Sequence, residues 1–247
     1  MNNKQNYCNR IYAFYTNLYS PEVIGTHLYA LETNTNPLLA RISGWLPANK
    51  DAACLDVGCG TGNLLYALHS AGYTNLSGVD CSPQQVNFAR QICANVEQND
   101  ATAYLRMHPG QFDLITAFDI VEHLTKEEVV AFLDELYIAL KPGGRLIVQT
   151  PNADSPWYGS LRYGDFTHEI AFTPASLKCM LSVSGFQEYE ARECQPFVHG
   201  IKSGIRFILW LALRFTLLTW NMIETGNSGS GIFTRAFIAK ATHMKLS

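Results

Sequence analysis

The sequence predicts an α/β protein with a doubly wound, mostly parallel sheet. Between residues 51 and 150, short apolar runs alternate with amphipathic stretches, which is typical of parallel strands joined by crossover helices. The run at 112–118 is apolar at every position except Asp113 and Thr116, as expected for a strand buried on both faces. The pattern changes after residue 150, where the predicted elements are a helix at 174–184 and strands at 186–194 and 232–241.

Each predicted element before residue 150 has local support in the sequence. The strands are predicted where short apolar runs lie between polar breaks, at 53–57, 76–79, 101–105, 112–118 and 145–150. The helices are predicted at 62–71, 83–96 and 125–140. Ser82 has the character of an N-cap with Pro83 at the first helical position, and Thr125 and Glu128 have the spacing of a capping box. Pro142-Gly143-Gly144 then ends the third helix.

The composition limits the classes of function. The chain has 247 residues, with 18 Lys and Arg against 21 Asp and Glu and a net charge of −3, a length that suits one large domain or one domain with appendages. A hydrophobic content of 47% excludes a disordered chain, and without a basic tail we expect no nucleic-acid partner. Charged residues make up only 16%, below the roughly 25% of a typical soluble protein, so part of the surface is expected to be apolar or uncharged.

The cysteine pattern and residues 1–10 indicate in which cellular compartment the protein is expected. Seven cysteines are scattered without a C-x-x-C pair, in spacings that fit neither a disulfide framework nor a zinc site. The stretch MNNKQNYCNR contains no apolar run, so no signal peptide is expected. We therefore expect a reducing, cytoplasmic location, with contact to the inner face of the membrane as an alternative for an apolar segment described below.

A glycine-rich turn carries the strongest functional signal. In the segment LDVGCGTGNL, residues 55–64, a strand turns into a helix through Gly58, Gly60 and Gly62. Glycines at such a turn let the backbone approach a ligand and leave helix N–H groups facing it. The dinucleotide pattern fails at Asn63, and no Gly-Lys-Ser/Thr follows as a P-loop requires. Asp80 ends the second strand, where a carboxylate can accept both hydroxyls of a ribose.

This combination of Asp56, three glycines and Asp80 resembles the class I S-adenosylmethionine-dependent methyltransferases. The segment at 111–124, QFDLITAFDIVEHL, resembles the fourth-strand motif of that family, and the LKPGG stretch at 140–144 resembles its turn into the fifth strand. The resemblance covers about residues 40–195. It implies a Rossmann-like sheet of seven strands, an enzyme, and S-adenosyl-L-methionine as cofactor.

The resemblance also implies which residues contact the cofactor. Gly58 and Gly60 are expected at its methionine and ribose portions, and Asp56 is expected to orient this loop or to meet the amino group. Asp80 is expected to hold the ribose hydroxyls. The other implied contacts are Cys59 and Gly62 in the loop, Cys81 beside the adenine edge, Asp100 and Ala101 at the adenine amino group, and Phe118 and Asp119 at the carboxypropyl end. Asp100 also suits a solvated turn.

Two histidines are candidate bases for an acceptor that carries a proton. In-line displacement at an activated sulfonium methyl mainly needs positioning, but an O–H or N–H acceptor also needs a base of near-neutral pKa. His123 follows the fourth strand at the carboxyl edge of the sheet. His168 lies in GDFTHEIAFTP, residues 164–174, which resembles a stretch of a ubiquinone-type and glycan-modifying subgroup. We favour His168 as base, with Asp165 or Glu169 orienting it.

A metal is the alternative use of this region. Five side chains could converge on one ion: Asp119, Glu122, His123, Asp165 and His168. However, scattered carboxylates are common in any cleft. The sequence alone therefore leads us to expect no metal.

The flanks divide the chain further. We assign a helical cap or lid to 1–46, the cofactor-binding core to 47–194, an apolar helical insertion to 195–231, and the final strand and tail to 232–247. Tyr12, Tyr15 and Tyr19 share one helical face of the cap, as packing residues or as a substrate platform. Arg206 and Arg214 interrupt the apolar segment at 205–223, which argues against a membrane span.

The predicted core and the apolar insertion are compatible with three hypotheses about function. The first is O-methylation of a small molecule or saccharide intermediate, as in surface-polysaccharide biosynthesis, with His168 as base. The second is methylation of a quinone-like or phenol-like lipid, with the insertion on a membrane surface. The third is a cofactor-binding subunit without catalysis. The segment at 203–223 is open to internal packing, a homodimer face, peripheral membrane contact or a pocket wall.

Overall fold

The computed structural model describes residues 24–244, which form one mixed sheet with helices on both faces. The sheet order is β3-β2-β1-β4-β5-β7-β6, and every strand is parallel to its neighbours except β7, which runs antiparallel to β5 and β6. The strands are β1 Cys54–Val57, β2 Leu76–Asp80, β3 Val96–Gln98, β4 Phe112–Phe118, β5 Leu140–Pro151, β6 Gln187–Glu193 and β7 Ala236–Thr242. The predicted seven-stranded, doubly wound fold is confirmed.

Most helices lie close to their predicted positions, but two predictions are wrong. The helix predicted at 83–96 ends at Ala89, because the chain turns back to pair Val96 with Gly78 in the sheet. Pro142-Gly143-Gly144 belongs to β5, which begins directly after the preceding helix. The bounds of the helices are α1 Ile24–Arg41, α2 Asn63–Ser70, α3 Pro83–Ala89, α4 Ala101–Arg106, α5 Lys126–Ala139, α6 Tyr158–Arg162, α7 Pro174–Val183 and α8 Ile201–Thr225. Ser82 caps α3, and the capping box of Thr125 and Glu128 opens α5 as expected. The tyrosine stripe at Tyr12, Tyr15 and Tyr19 lies outside the described residues.

The predicted third strand is wrong. Residues 101–105 belong to helix α4, because the Asp100 carboxylate accepts a hydrogen bond from the Ala103 N–H at 2.9 Å and caps the helix. The strand lies earlier, at Val96–Gln98, and its only buried residue is Val96. Three residues with one inward side chain give too little alternation to be recognised from sequence.

The core lies on both faces of the sheet. Successive strand residues point to opposite faces, so Leu55 and Ile115 belong to one buried cluster, whereas Leu114 and Ile147 belong to the other. The first cluster includes the apolar faces of α5 and α7, and the second includes those of α2 and α3. The carboxyl ends of β1, β2, β4 and β5 therefore open between two packed helical layers, which is where ligands bind in such sheets.

Helix α8 contributes no residue to either of these buried clusters. It joins β6 to β7 and has one buried side chain, Ser203. Arg214 anchors it, with Nε 3.1 Å from Glu193 Oε2 and Nη2 donating to the Gly231 carbonyl at 3.0 Å. A cavity of about 680 Å³ separates part of α8 from the end of α1. Within residues 24–244 no helix is long and apolar enough to cross a membrane.

Candidate active site

The glycine-rich turn between β1 and α2 is held close to its neighbours. Gly58, Gly60 and Gly62 all have positive φ angles, of 63°, 53° and 90°. A Cβ at Gly62 would lie 2.9 Å from Ile92 Cδ1 and 3.2 Å from the Ala89 Cα, so this glycine is required for packing. A Cβ at Gly60 would meet only an ordinary contact at 3.6 Å. Gly60 therefore has space beside it for a ligand, as expected of the centre of a cofactor loop.

Asp80 connects this turn to the end of β2. Its Oδ2 accepts a hydrogen bond from the Gly60 N–H at 3.0 Å, and its Oδ1 accepts one from the Ser82 N–H at 2.8 Å. Burial raises the pKa of Asp80, and these two N–H donors act in the opposite direction. A carboxylate has about four acceptor positions, so two are left for the hydroxyls of a ribose. These contacts fit S-adenosylmethionine, and the sequence did not indicate that Asp80 also holds the glycine turn.

Asp56 lies beneath the turn, inside β1, and its side chain is only 3% exposed. The Thr116 hydroxyl donates to its Oδ1 at 2.7 Å. Burial raises the pKa of Asp56 to about 7, with a further contribution from Asp80, although the Thr116 hydrogen bond opposes this. Of its two predicted roles, orientation of the loop is the one that this burial favours.

The other predicted cofactor residues lie along the same edge or at its border. Cys59 is buried, and its N–H donates to the Val79 carbonyl at 3.0 Å. Asp119 has a left-handed φ of 54°, and Gln149 Nε2 lies 3.1 Å from its Oδ2. The remaining positions are the exposed Cys81 after β2, Asp100 and Ala101 at the start of α4, and the half-buried Phe118 at the end of β4. Their contacts with the cofactor stay predictions.

Three predicted or considered side chains meet in what we call the histidine cluster, formed by Glu122, His123 and His168. One side-chain donor or acceptor atom from each lies within 4.8 Å of the others. The two histidine rings have centroids 4.8 Å apart. They meet because the Glu122 carbonyl accepts hydrogen bonds from the N–H groups of Glu169 and Ile170, at 2.7 and 3.2 Å. This contact docks the 165–170 segment on the short 3₁₀ turn Val121–His123.

The hydrogen bond of His168 determines its tautomer. His168 Nδ1 lies 3.0 Å from the Leu161 carbonyl oxygen, which can only accept. Nδ1 therefore carries the hydrogen, and the neutral ring has its lone pair on Nε2. This is the atom that can take up a proton.

Two hydrogen bonds at the Thr167 hydroxyl determine the tautomer of His123 in the same way. The Thr167 hydroxyl donates to Asp165 Oδ1 at 2.6 Å, and His123 Nδ1 lies 2.8 Å from the same hydroxyl oxygen. Because the hydroxyl has one hydrogen, His123 Nδ1 must donate to it, which leaves the lone pair on Nε2. Partial burial acts to raise the pKa of Asp165, but the Thr167 donors and the two histidines hold it below its usual value. Asp165 thus orients His123 through Thr167. The orientation of His168 by Asp165 or Glu169 stays a prediction.

Glu122 is the buried acid of the cluster, with 1% exposure. The Thr150 hydroxyl donates to its Oε2 at 3.1 Å. Burial and the neighbouring Asp119 raise the pKa of Glu122 to about 8. From the sequence, Glu122 was identified only as a possible metal ligand, and Thr167 was not identified as a site residue. The available signals were a lone acid in an otherwise apolar run, IVEHL, and a hydroxyl residue two positions after Asp165.

Comparisons with known proteins agree with this geometry. A family model described as a methyltransferase domain matches residues 54–144. The ubiquinone biosynthesis O-methyltransferase of Thiobacillus denitrificans is 34% identical over 133 residues, which are 50% of this chain and 54% of that protein. The ribosomal protein L11 methyltransferase of Dechloromonas aromatica is 31% identical over 123 residues, 47% of this chain and 39% of its own length. The chain thus spans about half or less of these two relatives.

A solved structure extends the likeness in fold beyond the matched domain. A SAM-dependent methyltransferase from Archaeoglobus fulgidus superposes with a TM-score of 0.62 at 22% identity, covering 87% of this chain and 99% of its own. At this identity the likeness concerns the fold.

Proposed function

Since this chain carries a class I S-adenosylmethionine-dependent methyltransferase domain, we propose that it methylates an oxygen of its acceptor. The observation that carries this proposal is the histidine cluster, which lies at the same carboxyl edge as the glycine turn and Asp80. The cofactor supplies a methyl group already activated by its positive sulfur. The chain has to bind the cofactor, align the acceptor oxygen with the methyl group and remove the proton of the acceptor.

His168 is the proposed base. Its Nδ1–H is held by the Leu161 carbonyl, so its Nε2 accepts the hydroxyl proton as the oxygen–methyl bond forms. The ring then carries the positive charge that the sulfur loses. Asp119 and Asp165 both lie close enough to stabilise that charge on His168.

The test is label transfer from S-adenosylmethionine to two series of acceptors, hydroxylated aromatic compounds and saccharides. His168→Ala is expected to reduce turnover more than a hundredfold and to leave S-adenosylhomocysteine affinity unchanged. His108→Ala is the matched control, because His108 stacks on Tyr104 near the opposite edge of the sheet. Full activity of His168→Ala would exclude this residue as base. A wild-type protein that binds cofactor and labels neither series would contradict O-methylation of these compounds.

An apolar, phenol-like acceptor at a membrane surface is the acceptor class that we favour. The relatives named above include an enzyme of ubiquinone biosynthesis, and α8 has an extensive apolar surface. Its exposed large side chains are Ile201, Ile205, Ile208, Leu209, Leu211, Leu213, Phe215, Trp220, Met222 and Ile223. At 100° per residue they cover about 200° of the helix, wider than the roughly 100° stripe that usually packs against a neighbour. A lipid surface can cover such a face. The saccharide acceptor stays a prediction.

Vesicle flotation tests this part of the proposal. Ile208→Glu/Phe215→Glu adds two charges to the exposed face of α8, where the side chains are 65% and 71% exposed. The variant is expected to lose binding to vesicles of phosphatidylcholine and phosphatidylglycerol. Met107→Glu/Val183→Glu adds the same charge at sites elsewhere that are 56% and 66% exposed, and it is expected to bind as the wild type does. A wild-type dimer in size-exclusion chromatography that the α8 variant dissociates, without flotation, would instead assign this face to a second copy.

A further inference from the structure

We propose that the cavity between α1 and α8 binds the acceptor, and that this acceptor joins an anionic group, a phosphate ester or a carboxylate, to an apolar portion. This rests on the proposed function and narrows its acceptor to one chemical class. The cavity has a volume of about 680 Å³, inside the range of about 300–1,000 Å³ that is typical of small-molecule pockets. Its walls include residues that follow β6 and precede β7, which place it at the carboxyl edge of the sheet.

Three arginines line this cavity, and one of them lacks a partner within the described part of the chain. Arg214 Nε lies 3.1 Å from Glu193 Oε2, and Arg192 Nη2 lies 2.8 Å from Glu190 Oε1. The half-buried guanidinium of Arg41, at the end of α1, forms no ion pair or hydrogen bond with any described residue. A guanidinium has five N–H donors in a planar fork that matches the oxygens of a phosphate or a carboxylate. An anion in the cavity would therefore compensate the charge of Arg41.

Arg41 also connects the cavity with the proposed site of methyl transfer. Burial raises the pKa of Asp119 and of the Cys194 thiol, and the positive charge of Arg41 acts against both shifts. His168 acts on Asp119 in the same sense, so the guanidinium and the proposed base are both in electrostatic range of one carboxylate. Gln149 joins the same groups, because its Oε1 is 3.7 Å from Cys194 Sγ and its Nε2 is 3.1 Å from Asp119 Oδ2. An acceptor held by Arg41 can therefore extend along this edge and present a hydroxyl to the base.

Other walls of the cavity fit the apolar portion of such a molecule. They include Pro196 and Phe197 after β6, and Phe207 and Leu211 on α8. A free inorganic anion would engage only Arg41, and a neutral hydrocarbon would engage only these apolar side chains. An amphipathic anion engages both, so it is the ligand class that the cavity fits best.

Calorimetry with a short-chain amphiphile tests the cavity without methyl transfer. The probes are octyl phosphate, octanol and inorganic phosphate, each below the concentration at which micelles form. The full chain is expected to bind one octyl phosphate at least about tenfold tighter than either of the other probes. Arg41→Gln is expected to weaken octyl phosphate binding about tenfold and to leave octanol binding unchanged. Phe207→Ala, which shortens an apolar wall, is expected to weaken the binding of both.

The controls separate this cavity from the cofactor site and from the membrane-facing side of α8. Arg106→Gln removes the same charge at the end of α4 and should bind octyl phosphate like the wild type. Arg41→Gln should retain S-adenosylhomocysteine affinity, and the wild type should bind S-adenosylhomocysteine and octyl phosphate at the same time. Arg41→Gln should also float with vesicles of phosphatidylcholine and phosphatidylglycerol as the wild type does.

Four results would overturn the proposal. Absence of octyl phosphate binding, or equal affinity in the wild type and Arg41→Gln, would exclude an anion site at Arg41. Competition between octyl phosphate and S-adenosylhomocysteine, with weaker S-adenosylhomocysteine binding in Arg41→Gln, would assign Arg41 to the carboxylate of the cofactor. Loss of flotation in Arg41→Gln would assign it to a phospholipid headgroup. Label transfer does not enter these measurements, so the proposed methylation can fail or hold independently.

Discussion

The two halves of the cleft are built in different ways. The cofactor half consists of the turn Gly58–Gly62 and Asp80, and its structure depends on backbone N–H groups bound to one carboxylate and on glycines with positive φ. The half that we propose for the acceptor, the histidine cluster, joins side chains of two segments, and His123 and His168 are 45 positions apart. We call it the acceptor half. The first half therefore depends on one short glycine-rich run and a carboxylate at the end of the next strand. The second depends on a tertiary contact between the 3₁₀ turn and the 165–170 segment.

This difference predicts different consequences of substitution. A substitution in the cofactor half disturbs backbone geometry as well as the predicted ligand contact, because the Asp80 carboxylate also accepts a hydrogen bond from the glycine-rich turn. A change in the acceptor half removes a donor or acceptor atom but leaves the sheet edge in place.

Among substitutions in the cofactor half, Asp80→Ala is expected to have the largest effect. It removes the predicted ribose acceptor and the hydrogen bonds to the Gly60 and Ser82 N–H groups, which are at 3.0 and 2.8 Å. Hydrogen bonds to charged groups contribute about 1.5–3 kcal/mol each, so S-adenosylhomocysteine affinity should fall ten- to hundredfold in calorimetry. Asp134→Ala on the exposed side of α5 should leave it unchanged. Unchanged affinity in Asp80→Ala would remove Asp80 from the cofactor site.

Gly62→Ala and Gly72→Ala form a matched pair, since both glycines have a φ of 90°. At Gly72 a Cβ would meet nothing within 4 Å, so only the backbone strain of about 1 kcal/mol is expected. At Gly62 the Cβ also presses on Ile92 and Ala89, which should add about 1–3 kcal/mol. Urea denaturation measures both free energies of unfolding. Equal losses would mean that the close packing of α2 on α3 contributes nothing at this position.

Asp56→Asn is expected to alter how stability depends on pH. The pKa of Asp56 is raised from its ordinary value to about 7, so the native state retains a proton that the unfolded state releases. The stability of the wild type is therefore reduced as pH rises from about 4 to 7 and is constant in this respect above 7. The advantage of Asp56→Asn over the wild type should grow by about 2–3 kcal/mol between pH 5 and pH 8, measured by urea denaturation in both buffers. An advantage that is independent of pH would contradict this ionisation behaviour.

Much of the cofactor half could be read from the sequence because its requirements are local. A positive φ requires glycine, a helix start favours a cap such as Ser82 or Thr125, and a strand buried on both faces requires an apolar run. The third strand was the failure in the core. Val96–Gln98 is too short to show the alternating pattern of a strand. The next apolar run, residues 101–105, is helical because the Asp100 side chain caps its first turn.

The acceptor half could be predicted only in part. His123, His168 and Asp165 were identified as candidates, but their partners were not. Thr167 was missed because its role depends on a hydroxyl lying between Asp165 and a histidine 44 positions away. The exposed face of α8 was likewise undecided, because an apolar helix has the same sequence pattern whether its apolar side faces the protein or faces outward.

The sequence by itself determined the sheet, the cofactor turn and the residue types available for chemistry, because these follow from backbone geometry and from the periodicity of apolar residues. Only the tertiary structure decided which side chains meet, which nitrogen of each histidine carries its proton, and which way α8 presents its apolar face. Those outcomes depend on contacts between segments far apart in the chain, such as the Glu122 carbonyl with Glu169 and Arg214 with Glu193.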